Sequence, residues 1–103
     1  MNNMQQMMKQ VKKMQEQMMK AQEELSTKTV EGSAGGGVVT VTATGQRKIT
    51  NIVIKPEAVD PDDVDMLQDL VLPAVNDALT KAEQMAEQDL GRLTGGLKLP
   101  GMF

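Results

Sequence analysis

Apolar and polar residues alternate strictly in one stretch of the chain only. Val39, Val41 and Ala43 are interleaved with Thr40, Thr42 and Thr44, a period of two that predicts a strand with one apolar face. Gly45, Gln46, Arg47 and Lys48 interrupt the run, and Ile49, Ile52, Val53 and Ile54 resume it. Two β-branched runs about a short Gly-containing break predict an antiparallel hairpin. Upstream, residues 26–32 (STKTVEG) alternate weakly and predict a short first strand. Residues 33–37 (SAGGG) are the turn that reverses it.

A helical period flanks this sheet on both sides. Met4, Val11, Met18 and Leu25 recur every seventh residue, with Met7, Met14 and Ala21 between them, which predicts a long first helix carrying a coiled-coil-like seam. Lys9, Lys12, Lys13 and Lys20 fall on the opposite, outer face, which Glu16 and Glu23 share further along. Downstream, Asp60, Pro61, Asp62 and Asp63 predict a helix start. Asp60 is placed as N-cap, Pro61 as the first helical residue, and the acids stand near the positive helix end. From Val64 the apolar positions Leu67, Val71, Ala74, Ala78, Ala82 and Met85 keep helical spacing. Pro73 interrupts that run and predicts a bend between Asp69 and Pro73, because it has no N–H to give the Asp69 carbonyl. Gly91 reads as the helix stop. The predicted fold is α+β: a long N-terminal helix, a three-stranded antiparallel sheet and a long second helix. It fills one domain over residues 1–90, followed by a flexible Gly- and Leu-rich tail over 91–103.

Lengths then argue for self-association. A helix of about 24 residues is about 36 Å long, whereas a compact 100-residue domain has a radius of gyration of about 13 Å. Two such helices overrun one small sheet. The chain also has a single aromatic, Phe103, no Trp and no Tyr, and must build its core from ten Met and aliphatic residues. A core of that kind gains from extra burial in an assembly. An elongated homodimer is expected, with Met4, Met7, Val11, Met14 and Met18 as its seam.

Charge and chemistry narrow the function. The net charge of −3 is unevenly spread: residues 57–90 hold ten acids and one Lys, whereas residues 1–15 hold three Lys and no acid. An acidic body with local basic patches is expected. With no Cys and no His, disulfides, thiolate chemistry and the commonest general base and metal ligand are absent, and the Met stripe reads as core or seam rather than as a soft-metal site. The acids at 60–63 lack the central Gly and terminal Glu of a calcium loop. The glycines before Val38 lack the Lys-Ser/Thr and the helix of a phosphate-binding loop. No catalytic constellation is visible. No apolar run reaches the roughly 20 residues of a membrane span. A cytoplasmic non-enzyme with no cofactor, no membrane contact and no small-molecule substrate is expected.

The order of these features resembles the YbaB/EbfC family of bacterial nucleoid-associated proteins. The resemblance rests on MMKQVKKMQEQMMKAQEEL, then EGSAGGGVVTVTATG, then ITNIVIKPE, then LQDLVLPAVNDAL, and a Gly-rich tail ending LPGMF. It covers essentially the whole chain; Pro73 departs from the family's regular second helix. It implies a fold that dimerises through its central region with helices projecting like tweezers. It implies binding to double-stranded DNA with low sequence specificity, a nucleoid location, and a role in nucleoid organisation or gene regulation. The family's DNA-facing parts map first to Lys9, Lys12 and Lys13, and then to Lys20, Arg47, Lys48 and Lys98.

The residues agree with duplex binding of that kind. Lysines contact phosphates without reading bases, and the two arginines, Arg47 and Arg92, leave little for bidentate guanine recognition. One aromatic is too few for a single-strand stacking platform. The alternative is a protein-interaction or scaffold module working through the Met-rich helix and the apolar tail.

Overall fold

In a computed structural model, residues 3–94 are described, with the side chains of Leu93 and Thr94 excepted. The order is α1 (Asn3–Thr27), β1 (Thr29–Ala34), β2 (Val39–Thr44), β3 (Ile49–Ile54), a 3-10 turn (Pro56–Ala58) and α2 (Val64–Thr94). The three strands form one antiparallel sheet in the order β1-β2-β3. Gly32 stands opposite Val41 and Val41 opposite Ile52, so these residues share a face. That face is the apolar one. The tail predicted from residue 91 lies mostly outside the described residues.

The core is where α2 meets β1 and β2. Val39, Val41 and Ala43 from β2 are closed off by Ala74, Ala78 and Ala82, one face of α2. Alanines at these positions let the helix backbone come close to the sheet, and Gly32 completes the fit. The reversal after β1 uses Gly35, Gly36 and Gly37, all at positive φ, where a Cβ is penalised. α2 also reaches over the outer edge of β1. The Ser33 N–H donates to Asp77 Oδ2 at 3.1 Å, and Lys81 Nζ donates to the Glu31 carbonyl at 3.2 Å. Otherwise unpaired edge groups of β1 thereby find partners.

Two local expectations change. Asp60 does not cap α2: its Oδ1 accepts the Asp62 N–H at 2.9 Å and its carbonyl the Asp63 N–H at 3.0 Å, closing a separate turn. Asp63 is the cap, accepting the Met66 N–H at 3.1 Å. α2 passes Gly91 and is described as far as Thr94, its last turns held against α1 by the Lys28–Asp89 pair at 2.6 Å. Pro73 lies inside α2 without ending it.

α1 runs antiparallel to the end of α2 and then leaves the body. Its foot is fixed by the β2–β3 turn: the Gly45 N–H donates to the carbonyls of Leu25 (2.9 Å) and Lys28 (3.0 Å). These are carbonyls that a helix end leaves unpaired. Leu25 is 3 % exposed, which stabilises the junction by about 2 kcal/mol on ordinary burial values. Beyond the foot α1 is a free arm. The molecule measures 75 × 25 × 16 Å with a radius of gyration of 19.8 Å, well above the roughly 13 Å of a compact chain this long.

Candidate nucleic-acid interface

The arm carries the basic residues. α1 forms because Met, Gln, Lys and Glu dominate it and no Gly or Pro interrupts it. Lys9, Lys12, Lys13 and Lys20 are exposed, and among the described residues none of them makes an ion pair. Lys9 to Lys13 covers about 6 Å of helix axis. One strand of duplex DNA presents a phosphate about every 3.4 Å along its axis, so three ammonium groups on this turn match two neighbouring phosphates.

The remaining cations are differently placed. Lys28 and Lys81 are engaged in pairs with Asp89 and Asp77. The Asp77 carboxyl is held below its ordinary value first by the Ser33 N–H and then by Lys81. The Asp89 carboxyl is held low by its hydrogen bond to Lys28, with Arg92 adding to the effect. Arg47 and Lys48 are exposed in the β2–β3 turn, at the root of the arm, where Gln46 Nε2 donates to the Gln22 carbonyl at 2.9 Å. The hollow beside Arg47 is also lined by Glu83 and Glu87, which offset its charge. Lys98 lies outside the described residues. The structure therefore gathers Lys9, Lys12 and Lys13 in one patch and separates Arg47 and Lys48 from it. Among the described residues no group of three or more His, Cys, Asp or Glu is placed to hold a metal ion, and no helix is long and apolar enough to cross a membrane.

A second surface is visible only in the fold. α2 sits over β1 and β2 and leaves β3 bare. Ile52 and Ile54 point to the same side as the core residues Val41 and Val39, yet are 45 % and 37 % exposed. The adjoining flank of α2, opposite the Asp77 and Lys81 side, carries Leu72 and Val64, both exposed, together with Val71, Val75 and Leu79. Alternation in the sequence identifies an apolar face without telling what covers it.

The seam residues divide between two environments. Met18 and Ala21 are half-buried and Leu25 buried against the body of the same chain, whereas Met4, Met7 and Val11 stand free. Part of the heptad pattern thus encodes a contact within the chain.

Comparison with known proteins bears on these surfaces. The model of the YbaB/EbfC DNA-binding family matches residues 1–97. A nucleoid-associated protein of Desulforamulus reducens is 64 % identical over 101 residues, covering 98 % of this chain and 96 % of its own. One from Pelotomaculum thermopropionicum is 60 % identical with the same coverage, and one from a Geobacillus species is 59 % identical over 103 residues, covering 100 % of this chain and 95 % of its own. Among solved structures, an uncharacterized protein from Helicobacter pylori shares the fold with a TM-score of 0.77 at 19 % identity, covering 88 % of this chain and 96 % of its own.

Proposed function

The chain belongs to the YbaB/EbfC DNA-binding family, and from that premise we propose that it acts as a homodimer that grips double-stranded DNA with little sequence preference. In this reading it serves in nucleoid organisation or gene regulation, in the bacterial cytoplasm; its relatives are named nucleoid-associated proteins. The observation that carries the reading is the arm: Lys9, Lys12 and Lys13 are exposed and unpaired among the described residues, on a helix that projects from an acidic body. Repulsion by the ten acids of residues 57–90 keeps the duplex away from the body and at the arm. Phosphate contacts by lysine carry affinity and no base information.

The bare third strand supports the reading of a second copy. A partner seated over Ile52, Ile54 and the Leu72 flank of α2 removes apolar area that the single chain leaves in water. A two-fold axis there duplicates the arm, giving six lysines for one duplex.

Gel shifts over a salt series test the DNA reading. If Z lysines meet phosphates, the slope of log affinity against log salt is about −0.9Z. Lys9→Gln, Lys12→Gln and Lys13→Gln together flatten that slope and weaken binding to unrelated duplexes alike, with helix content unchanged. Unaltered affinity and slope move the site elsewhere, with Arg47 and Lys48 next. A protein that shifts no duplex at low salt is a scaffold acting through its apolar surfaces instead.

A further inference from the structure

The N-terminal half of α1 is bare on every side. Residues 3–17 are all exposed, a free rod of about 22 Å. On it Met4, Met7, Met8 and Val11 are 78, 63, 70 and 55 % exposed. They recur at three and four residues and so share a face. The hollow they line is shallow and open, and Lys9 and Lys12 line it with them. The expectation that the lysines stand behind the methionines is thereby corrected for these two: Lys9 and Lys12 flank the apolar face, and Lys13 lies outside the hollow.

Charge decides what can cover this face. No acid precedes Glu16, so the whole segment is cationic. A second arm laid on the stripe brings three further lysines to the same turns, and like charges repel. A duplex brings phosphates instead, together with an apolar surface of fitting size. The major groove carries the thymine C5-methyl groups, is about 12 Å wide and admits a helix that is about 10–12 Å across with its side chains. The minor groove, about 6 Å wide, is too narrow for one. Met4 to Val11 covers about 10 Å of helix axis, the rise of about three base pairs. Unbranched thioether side chains adapt to an uneven floor.

We infer that the arm lies in the major groove of duplex DNA. Lys9 and Lys12 meet phosphates at the groove wall, and Met4, Met7, Met8 and Val11 meet thymine methyls on its floor. On the duplex-binding reading above, on which this rests, the arm gains a groove, a helix face and a second, apolar source of affinity. The two sources respond differently. Lysine–phosphate contacts weaken as salt rises, because they release counterions; methyl contacts release none. Each thymine methyl covered is worth about fourfold in affinity, so binding grades with thymine content and does not select one sequence.

Two duplexes of one sequence separate these sources, one made with thymine and one with uracil throughout. Uracil lacks the C5-methyl and keeps every base pair. The unaltered chain is expected to bind the uracil duplex about fourfold or more weakly, with the same slope of log affinity against log salt. Met4→Gln, Met7→Gln and Met8→Gln together are expected to weaken binding to the thymine duplex and to abolish the difference, again at the same slope. Glutamine keeps a helix propensity close to that of methionine, and circular dichroism checks the helix content. Equal affinity of the unaltered chain for the two duplexes overturns the inference and leaves the phosphate reading standing. That comparison needs no altered protein, so it decides even where the triple variant loses helix. A difference that survives in a helical triple variant gives the methyls to another part of the chain and also overturns it. A chain that shifts neither duplex at low salt removes the DNA reading, and the inference with it.

Discussion

A Cβ built on Gly32 stands 2.2 Å from the Ala78 nitrogen and 2.5 Å from the Ala74 carbonyl oxygen. Both are helix backbone and have no rotamer to change. Gly32→Ala therefore pushes α2 off the sheet, and urea denaturation is expected to show a loss of about 3 kcal/mol, at the upper end of ordinary overpacking. Gly36→Ala is the control: no atom lies within 4 Å of its Cβ, and only its φ of 72° is unfavourable, which costs about 1 kcal/mol. Asp77 acts at the same scale. Its carboxyl is lowered by the Ser33 N–H and by Lys81, so the charged form is favoured in the folded chain. Its contribution is complete above the ordinary carboxylate range and is lost as the pH falls through the lower, folded value. Asp77→Asn is expected to flatten the acid limb of a plot of urea midpoint against pH and to leave the neutral-to-alkaline limb parallel to the parent. Identical acid limbs in the two proteins rule this out.

Among the elements, the β2–β3 turn does more than reverse the chain. Its Gly45 presses on Leu25 and closes the end of α1, and a Cβ there meets Leu25 Cδ2 at 2.7 Å and the Leu25 carbonyl at 2.8 Å. The arm's direction is thus set by a turn twenty residues away in sequence. The same turn holds Arg47 at a φ of 63°, a conformation that costs a non-glycine residue about 1–2 kcal/mol, partly offset in a glycine variant by its freer unfolded chain. Arg47→Gly is expected to raise stability by up to about 1 kcal/mol in urea and to leave duplex affinity nearly unchanged, since the lysine patch lies further along the arm. A loss of affinity as large as that of the Lys9, Lys12 and Lys13 variant transfers the principal contact to the turn.

At the scale of the molecule, the 75 Å length comes from one helix that packs by its foot and another that covers two strands of three. The third strand presents Ile52 and Ile54 to water with an unpaired outer edge, an arrangement that invites association. Light scattering at micromolar concentration is expected to give about twice the chain mass of 11.2 kDa. Ile52→Asp is expected to give the single-chain mass, with the α2–β2 core and far-UV helix signal retained, because Ile52 makes no part of the buried cluster. A dimer that persists in this variant removes β3 from the interface and returns it to the Met seam of α1.

The sequence by itself determined the three strands, the two helices and their order, because periods of two and of 3.6 are local properties that burial on one face imposes on any chain. It also determined the separation of charge along the chain, with lysines and no acid before Glu16 and ten acids in residues 57–90. Only the tertiary structure decided that Asp63 rather than Asp60 caps α2, and that the helix passes Gly91. Capping depends on where the chain enters the body, and a last turn packed on α1 outweighs the stop signal of one glycine. Only the tertiary structure decided, too, that the isoleucines of β3 face the core side and still meet water. Alternation tells which side of a strand is apolar; which strands a helix covers follows from where its alanines can approach, and here that place is Gly32 on the far side of the sheet.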